Sequence, residues 1–262
     1  MIFDTHAHYT SHQFDRHRDE LLSSLPQNGV VGIVDCGVDL ESAVKSLELS
    51  EKYPFLYVAA GIHPESITDE TASTNTRFGG DWRAELVEIE PLYENKRVVA
   101  VGEAGLDYHW EIPKDEQQAL FEAEIKTALT HDLPIIVHDR EAHADTYALL
   151  KKYKPKGVVH CYSGSADDAI WLTKQGLYIG IGGVVTFKNS RRLQETVSAL
   201  PLERILLETD CPYMAPEPFR GKENNSALIK YVAAKIAEIK GVTISDVLDI
   251  TEENAKTAFN LA

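Results

Sequence analysis

Cysteine is scarce in this chain. Three residues in 262, Cys36, Cys161 and Cys211, are too few and too widely spaced for a disulfide framework, and the odd count argues for a reducing compartment. No apolar run approaches the roughly 20 residues a membrane helix needs. The opening "MIFDTHAH" lacks the basic region and apolar core of an export signal. A cytoplasmic protein with no membrane partner is the expectation. Positive charge is also short: 26 Lys and Arg stand against 41 Asp and Glu, a formal net charge of −15. That disfavours a broad surface for non-specific nucleic-acid binding, but not a phosphate gripped locally by a few cations. Low-complexity segments and repeats of 20–50 residues are likewise missing.

What the chain has is one alternation, repeated. Eight β-rich runs recur: "MIFDT", "GVVGIVDCG", "FLYVAAGIHP", "VVAVGEAGLD", "LPIIVHD", "GVVHCYSG", "LYIGIGGVVTF" and "RILLETDCP". Each is nearly continuous in Val, Ile, Leu and Gly, as strands covered on both faces of a parallel sheet are. Between them apolar residues recur at three- and four-residue steps, the helical period. The pattern predicts an α/β fold, a (β/α)₈ TIM barrel forming a single domain over residues 1–262; about 250 residues is typical of that fold. A doubly wound open sheet is the second choice. "GIGGVV" is no dinucleotide fingerprint, because the third glycine would fall at Val185. Irregular loops are expected at Ser66–Asp81 and Tyr213–Asn225, each after a strand.

The chemistry of such a barrel collects at the C-terminal ends of its strands. Strand one ends with His6 and His8, strand three with His63, strand four with Glu103, strand five with His138, strand six with His160 and strand eight with Asp210. His6 and His8, two apart on a strand, face the same side and can ligate one ion. Asp4 shares that face one layer deeper, and Glu208 stands in the same relation to Asp210. Both are expected to fix imidazole tautomers from beneath. The nitrogen and oxygen donors suit zinc, manganese or iron, or magnesium with more water. They are too many for one catalytic ion with three protein ligands. Two divalent ions sharing Glu103 fit better.

Each piece alone has a plainer reading. An isolated His-x-His is usually a satisfied polar pair, "LETD" can cap a helix, and "HCYSG" can be a turn. The weight lies in their coincidence at one end of one inferred barrel. His12, His17, His109, His131 and His143 fall in helical or loop patterns and read as surface or supporting residues. Cys161 and Cys211 read as structural thiols turned away by strand alternation.

"FDTHAH", "GIHP", "VGEAGLDY", "PIIVHDR", "HCYSG", "GGVVTFK" and "LLETDCPYMAP…FRGK" follow in order along essentially the whole chain. Together they resemble the TatD family of metal-dependent nucleases, within the wider amidohydrolase-like barrels. The resemblance implies a dinuclear centre, one ion on His6, His8, Glu103 and Asp210 and the other on Glu103, His138 and His160. It also implies magnesium- or manganese-supported hydrolysis of DNA, often from the 3′ end of single strands. Related proteins have been linked to other esters, including aminoacyl groups on tRNA. One stretch departs from the pattern: after "RGK", Asn224 is kept, but Asn225 replaces an acidic residue and Ser226 a proline.

The expected function is therefore a deoxyribonuclease using two divalent ions (Mg, Mn or Zn), acting on single-stranded DNA ends without an obligate protein partner. Asp210 is the candidate general base and Glu103 the bridging catalytic ligand. His63 is assigned to phosphate or leaving-group contact, and Arg220 and more weakly Lys188 and Lys222 to phosphate clamping. A hydrolase of carboxylic ester or C–N bonds is the alternative. Amidohydrolase-like relatives often bridge their metals with a modified lysine, and strand four here has none. A metal-binding interaction protein is a third reading, and nothing in the ligand set favours it.

Overall fold

The alternation resolves into eight strands and ten α-helices in the computed structural model, which describes residues 1–261. The strands are β1 (Ile2–Ala7), β2 (Val30–Cys36), β3 (Leu56–Ala60), β4 (Val98–Asp107), β5 (Ile135–Arg140), β6 (Gly157–Val159), β7 (Leu177–Ile181) and β8 (Ile205–Leu207). The helices are α1 (Arg18–Ser24), α2 (Leu40–Lys52), α3 (Ser73–Thr76), α4 (Trp82–Ile89), α5 (Lys114–Thr130), α6 (His143–Tyr153), α7 (Ala166–Lys174), α8 (Arg191–Ala199), α9 (Ile229–Lys240) and α10 (Ile244–Ala258). The strands lie in one sheet in chain order, β1 to β8. A doubly wound sheet would reverse that order at a switch point. The architecture is the (β/α)₈ barrel. Every residue of β1 and β4 is buried, which explains why these strands read as unbroken apolar runs. No helix among the described residues is long and apolar enough to cross a membrane.

The chain divides into two compact units. The first comprises Met1–Asp35 with the residues from His160 onward. In it the chain leaving β8 returns to β1. The Asp210 N–H donates to the His6 carbonyl at 2.9 Å, and the His8 N–H donates to the Cys211 carbonyl at 2.9 Å. First and last strands are thereby joined, and the residues around His6 and Asp210 are brought together. α9 and α10 pack against β1 and β8 through Val232, Ala233, Ile236 and Val247, the apolar stripes seen in the sequence.

The second unit, Cys36–Val159, holds β3 to β6 paired in parallel. α5 lays Leu120, Phe121, Ile125 and Ala128 toward β4. Glu124 shares that stripe. It is fully buried, and burial holds its carboxyl well above the usual range, countered in part by the Ile62 N–H that donates to Oε1 at 2.8 Å. This contact braces the backbone immediately before His63.

Two expectations are corrected. Ser66–Asp81 is not an irregular loop: it contains the end of a 3₁₀ turn (Pro64–Ile67) and the whole of α3. The carboxylate of Glu85 orders it, accepting the Ser73 and Thr74 hydroxyls at 2.5 Å each, while Asp39 accepts the Ser73 N–H at 2.8 Å. The other correction concerns Cys161, which lies beyond β6 at φ +44°, so strand alternation does not govern it. It is partly exposed, with Sγ 3.5 Å from Met214 Sδ, whereas Cys211 is buried.

Gly105 shows how tightly the site-bearing strands pack. It sits opposite His138 at φ +155°, and a Cβ there would lie 2.0 Å from the His138 carbonyl oxygen. Gly105→Ala is expected to destabilise the fold by about 2–4 kcal/mol, through overpacking and backbone strain together. Denaturant unfolding checks this, and a variant within experimental error of the parent would show that β4 and β5 separate at little cost.

Candidate metal centre

In the first unit, β1 carries His6 and delivers His8 one residue past its end. Their Nε2 atoms lie 3.0 Å apart. Asp210 Oδ1 stands 3.3 Å from His8 Nε2 and 3.7 Å from His6 Nε2. The His160 ring stacks on His6 with centroids 3.9 Å apart. His6, His160 and Asp210 each offer a ligand atom within 4.8 Å of the others. Burial pushes the Asp210 carboxyl up, but the His8 contact and the nearby His6 and His160 rings hold it below its ordinary value overall.

The expected tautomer-fixing role of Asp4 is overturned. Oδ1 accepts the backbone N–H groups of His6 at 3.3 Å and Thr209 at 3.0 Å. Oδ2 accepts the hydroxyls of Thr209 at 2.6 Å and Ser226 at 2.7 Å. Both oxygens are thus spent on tying β1 to the turn that presents Asp210. Burial outweighs these hydrogen bonds and lifts the Asp4 carboxyl to about 6. Ser226, where the TatD pattern has proline, is part of the tie. Its N–H donates to the Tyr9 hydroxyl at 3.0 Å, a bond proline could not make, and its Oγ is 2.8 Å from the same hydroxyl. Asn224 likewise serves the loop, donating to the Thr209 and Tyr213 carbonyls at 2.9 and 2.8 Å. Glu208 also departs from expectation: Oε1 accepts the Cys161 N–H at 2.5 Å rather than an imidazole proton. Burial raises its carboxyl to about 8 despite the neighbouring His160.

In the second unit, Glu103 and His138 come from β4 and β5, with Glu103 Oε1 2.8 Å from His138 Nδ1. His138 Nε2 lies 3.0 Å from Asp107 Oδ2. Both ring nitrogens thus donate to carboxylates, and once the Nδ1 proton is displaced the Asp107 bond at Nε2 leaves Nδ1 to ligate, the usual support of a metal-bound imidazole. Burial works against charge on His138, but the two carboxylates prevail and raise it to about 10. Asp107 is a candidate site residue that the strand-end pattern did not single out. Its signal was visible: Glu103 and Asp107 are an even number of residues apart in "VGEAGLD".

His63 stands beside this pair, with Nε2 3.5 Å from Glu103 Oε1. Its Nδ1 accepts the Glu65 N–H at 3.2 Å. A neutral ring accepting at Nδ1 carries its proton on Nε2. In that tautomer His63 presents a donor to an anionic substrate, and with Glu103 and His138 it also forms a group whose ligand atoms lie within 4.8 Å of one another and could hold a metal ion. The donors in both units, imidazole nitrogen with carboxylate oxygen, fit divalent metal.

The cations assigned to phosphate lie in the first unit. Arg220 and Lys188 are exposed, and the Arg220 guanidinium covers the ring of Phe187 at 4.3 Å, so the two loops meet. Lys222 is exposed beyond Phe219. The five remaining histidines stand apart from both groups. His17 pairs with Glu223 at 2.8 Å, His109 with Glu141 at 3.0 Å and His143 with Asp139 at 2.7 Å. His131 faces Glu90 at 3.5 Å, and His12 lies in a short 3₁₀ turn.

Because His138 keeps its proton to about pH 10 in chelator-stripped protein, metal loading near pH 8 must displace it. Calorimetric titration with metal in buffers of different ionisation enthalpy should therefore show proton release, and affinity should rise with pH below 10. Asp107→Asn should weaken metal binding by about 10- to 100-fold. Binding with no proton release, and unaltered in the variant, would remove His138 from the ligand set.

A family model described as TatD related DNase matches residues 3–260. The chain is 40% identical over 265 residues to YabD of Bacillus subtilis, an uncharacterized metal-dependent hydrolase, with each chain covered completely. It is 30% identical to the 3′-5′ ssDNA/RNA exonuclease TatD of Erwinia tasmaniensis, covering 99% of this chain and 100% of that one. The crystal structure of YJJV, a TatD homolog from Escherichia coli K12, superimposes with a TM-score of 0.89 at 30% identity over 100% of this chain and 98% of that one. The two imidazole–carboxylate groups thus stand on a scaffold whose relatives are metal-dependent, and the chain belongs to the TatD family of metal-dependent hydrolases.

Proposed function

We propose that this protein is a deoxyribonuclease that removes nucleotides from 3′ ends of single strands, using two divalent ions, magnesium, manganese or zinc. The observation that carries the proposal is the donor arrangement: His6, His8, His160 and Asp210 in one unit, and Glu103 with the Asp107-supported His138 in the other. In this reading the units act as one catalytic domain over residues 1–262. His6, His8, Glu103 and Asp210 hold one ion, and Glu103, His138 and His160 the other. The name of the Erwinia relative supports a nucleic-acid substrate. The sparse, odd-numbered and widely spaced cysteines support a reducing, cytoplasmic setting, and no obligate protein partner is invoked.

When bound, the ions supply Lewis acidity, a water of lowered pKa and neutralisation of the phosphoryl oxygens. The protein's own residues do the rest. Asp210, held as a carboxylate among imidazoles, takes the proton of the attacking water. His63 donates a hydrogen bond from Nε2 to a phosphate oxygen or to the leaving oxygen, keeping its proton. Arg220 and Lys188 hold the next phosphate. A few local cations are compatible with a net charge of −15, because a strand end needs far less basic surface than a duplex.

The test is an activity panel on metal-reconstituted protein with 3′-labelled single-stranded DNA, RNA, aminoacyl-tRNA and simple phosphodiesters. DNA turnover is expected. Turnover confined to the aminoacyl ester would replace this reading with a carboxylic-ester hydrolase. Glu103→Ala should lower kcat by more than about 100-fold and loosen both ions, since a shared ligand is lost. Asp210→Asn should keep metal affinity within about tenfold while kcat falls about 10²- to 10⁴-fold, because an amide ligates but accepts no proton. Near-normal turnover of Asp210→Asn at saturating metal would disprove the general-base role.

Salt dependence gives a second, independent check. Neutralising one or two phosphates of a single strand should produce a log–log slope of about −0.7 to −1.4 for binding to a catalytically dead, metal-loaded variant. A slope steeper than about −4 would demand an extended basic track absent from this acidic chain.

A further inference from the structure

Of the three tryptophans, Trp82 is buried and Trp171 partly so, while Trp110 is half exposed. It lies three residues beyond Asp107, on the loop leaving β4, and its setting is rigid. The indole Nε1–H donates to Glu65 Oε1 at 2.8 Å. His109 meets the ring edge-to-face with centroids 4.9 Å apart. Burial raises the Glu65 carboxyl, as does the charge of Asp107, while the indole hydrogen bond lowers it. An exposed aromatic face costs free energy in water, and one pinned at its edge cannot turn inward to recover it.

Arg140 lies beside the indole. It ends β5 two residues after His138, so both point to the same side of the strand. Its guanidinium is 5.7 Å from the Trp110 ring centroid, and Nη1 is 3.9 Å from Asp107 Oδ2. That same Asp107 oxygen takes His138 Nε2 at 3.0 Å. The chain thus runs without a gap from candidate metal ligand to carboxylate, to guanidinium, to exposed indole. Arg140 is itself nearly half exposed.

We propose that Trp110 and Arg140 form a nucleotide subsite beside the Glu103–His138 pair, with the indole stacking on a base near the 3′ end and the guanidinium holding that nucleotide's phosphate. The inference rests on the nuclease reading above and deepens it. Every base offers a π-face, so stacking on one fixed indole recognises single-stranded nucleic acid without reading its sequence. Paired bases have their faces covered by neighbours, which makes the platform selective for frayed or unpaired ends. The subsite gives binding that is the same in the ground and transition states, so its loss should appear mainly in KM.

The experiment compares the metal-loaded enzyme with Trp110→Ala, Trp110→Phe and Arg140→Gln on two 3′-labelled DNA strands. One strand is intact; the other carries abasic residues at its last three positions. Trp110→Ala should raise KM on the intact strand by about 5- to 100-fold, the range of base–aromatic stacking. Trp110→Phe should recover most of that loss, and on the abasic strand Trp110→Ala and the parent should have the same KM. Arg140→Gln should raise KM on both strands, since both keep their phosphates. An equal Trp110→Ala penalty on the two strands would mean that the indole only supports the loop, and the stacking role would fall. A parent enzyme that cleaves DNA while Trp110→Ala matches it would overturn this inference alone. A parent that hydrolyses no DNA overturns the nuclease reading as well.

Discussion

Imidazole nitrogens that face one another are the constraint on which the rest of this structure depends. His6 Nε2 and His8 Nε2 lie 3.0 Å apart with a carboxylate oxygen against both. Two neutral rings can share one proton across such a gap, and two charged rings would repel. A fold that holds this geometry must do so with its backbone and with buried polar groups around it. The same holds for His138, gripped between Glu103 and Asp107. The His6–His8–Asp210 cluster is costly to assemble without a cation, whereas His138 answers its two carboxylates with its own proton, and both clusters are surrounded by devices that prevent them from relaxing.

In the first unit the chief device is Asp4. Its four hydrogen bonds run to backbone N–H groups and hydroxyls, all buried, and so join the strand carrying His6 to the turn carrying Asp210. A carboxylate beneath two histidines suggests a partner for their rings, yet here it orders the chain that holds them. Ser226 and Tyr9 extend the network outward. The proline of the family pattern would rigidify the loop through its fixed φ, whereas this chain uses a side-chain hydroxyl and a freed N–H for the same end. In the second unit, glycine and a buried acid do comparable work. Gly105 lets β4 approach β5 closely, and Glu124 anchors the backbone before His63.

Charge follows the same division between scaffold and site. The acidic excess is spread over exposed helical faces, many of its groups in pairs such as Glu41–Lys45 and Glu122–Lys126, which contribute little to stability. Exposed cations lie against aromatic rings at many points of the surface, Arg220 over Phe187 and Arg140 near Trp110 among them. A chain of this composition suits the proposed strand-end substrate while repelling the body of a polyanion.

The sequence by itself determined the strand–helix alternation and a parallel sheet, because unbroken apolar runs of strand length can be buried only in a sheet covered on both faces, while the strand order that makes it a barrel and not a doubly wound sheet came from the tertiary structure. It also marked the candidate histidines and carboxylates, since each stands at a strand end. Asp107 lay in the same strand pattern as Glu103 and could have been read by period two. What only the tertiary structure decided was which atoms each polar group serves. Asp4 and Asp107 look alike in sequence, each a strand carboxylate an even number of residues from a site residue. One took backbone and hydroxyl donors, and the other took an imidazole. The difference comes from donors contributed by distant segments, Thr209 and Ser226 for Asp4 and His138 for Asp107. No local pattern records which of those segments will arrive beside a given carboxylate.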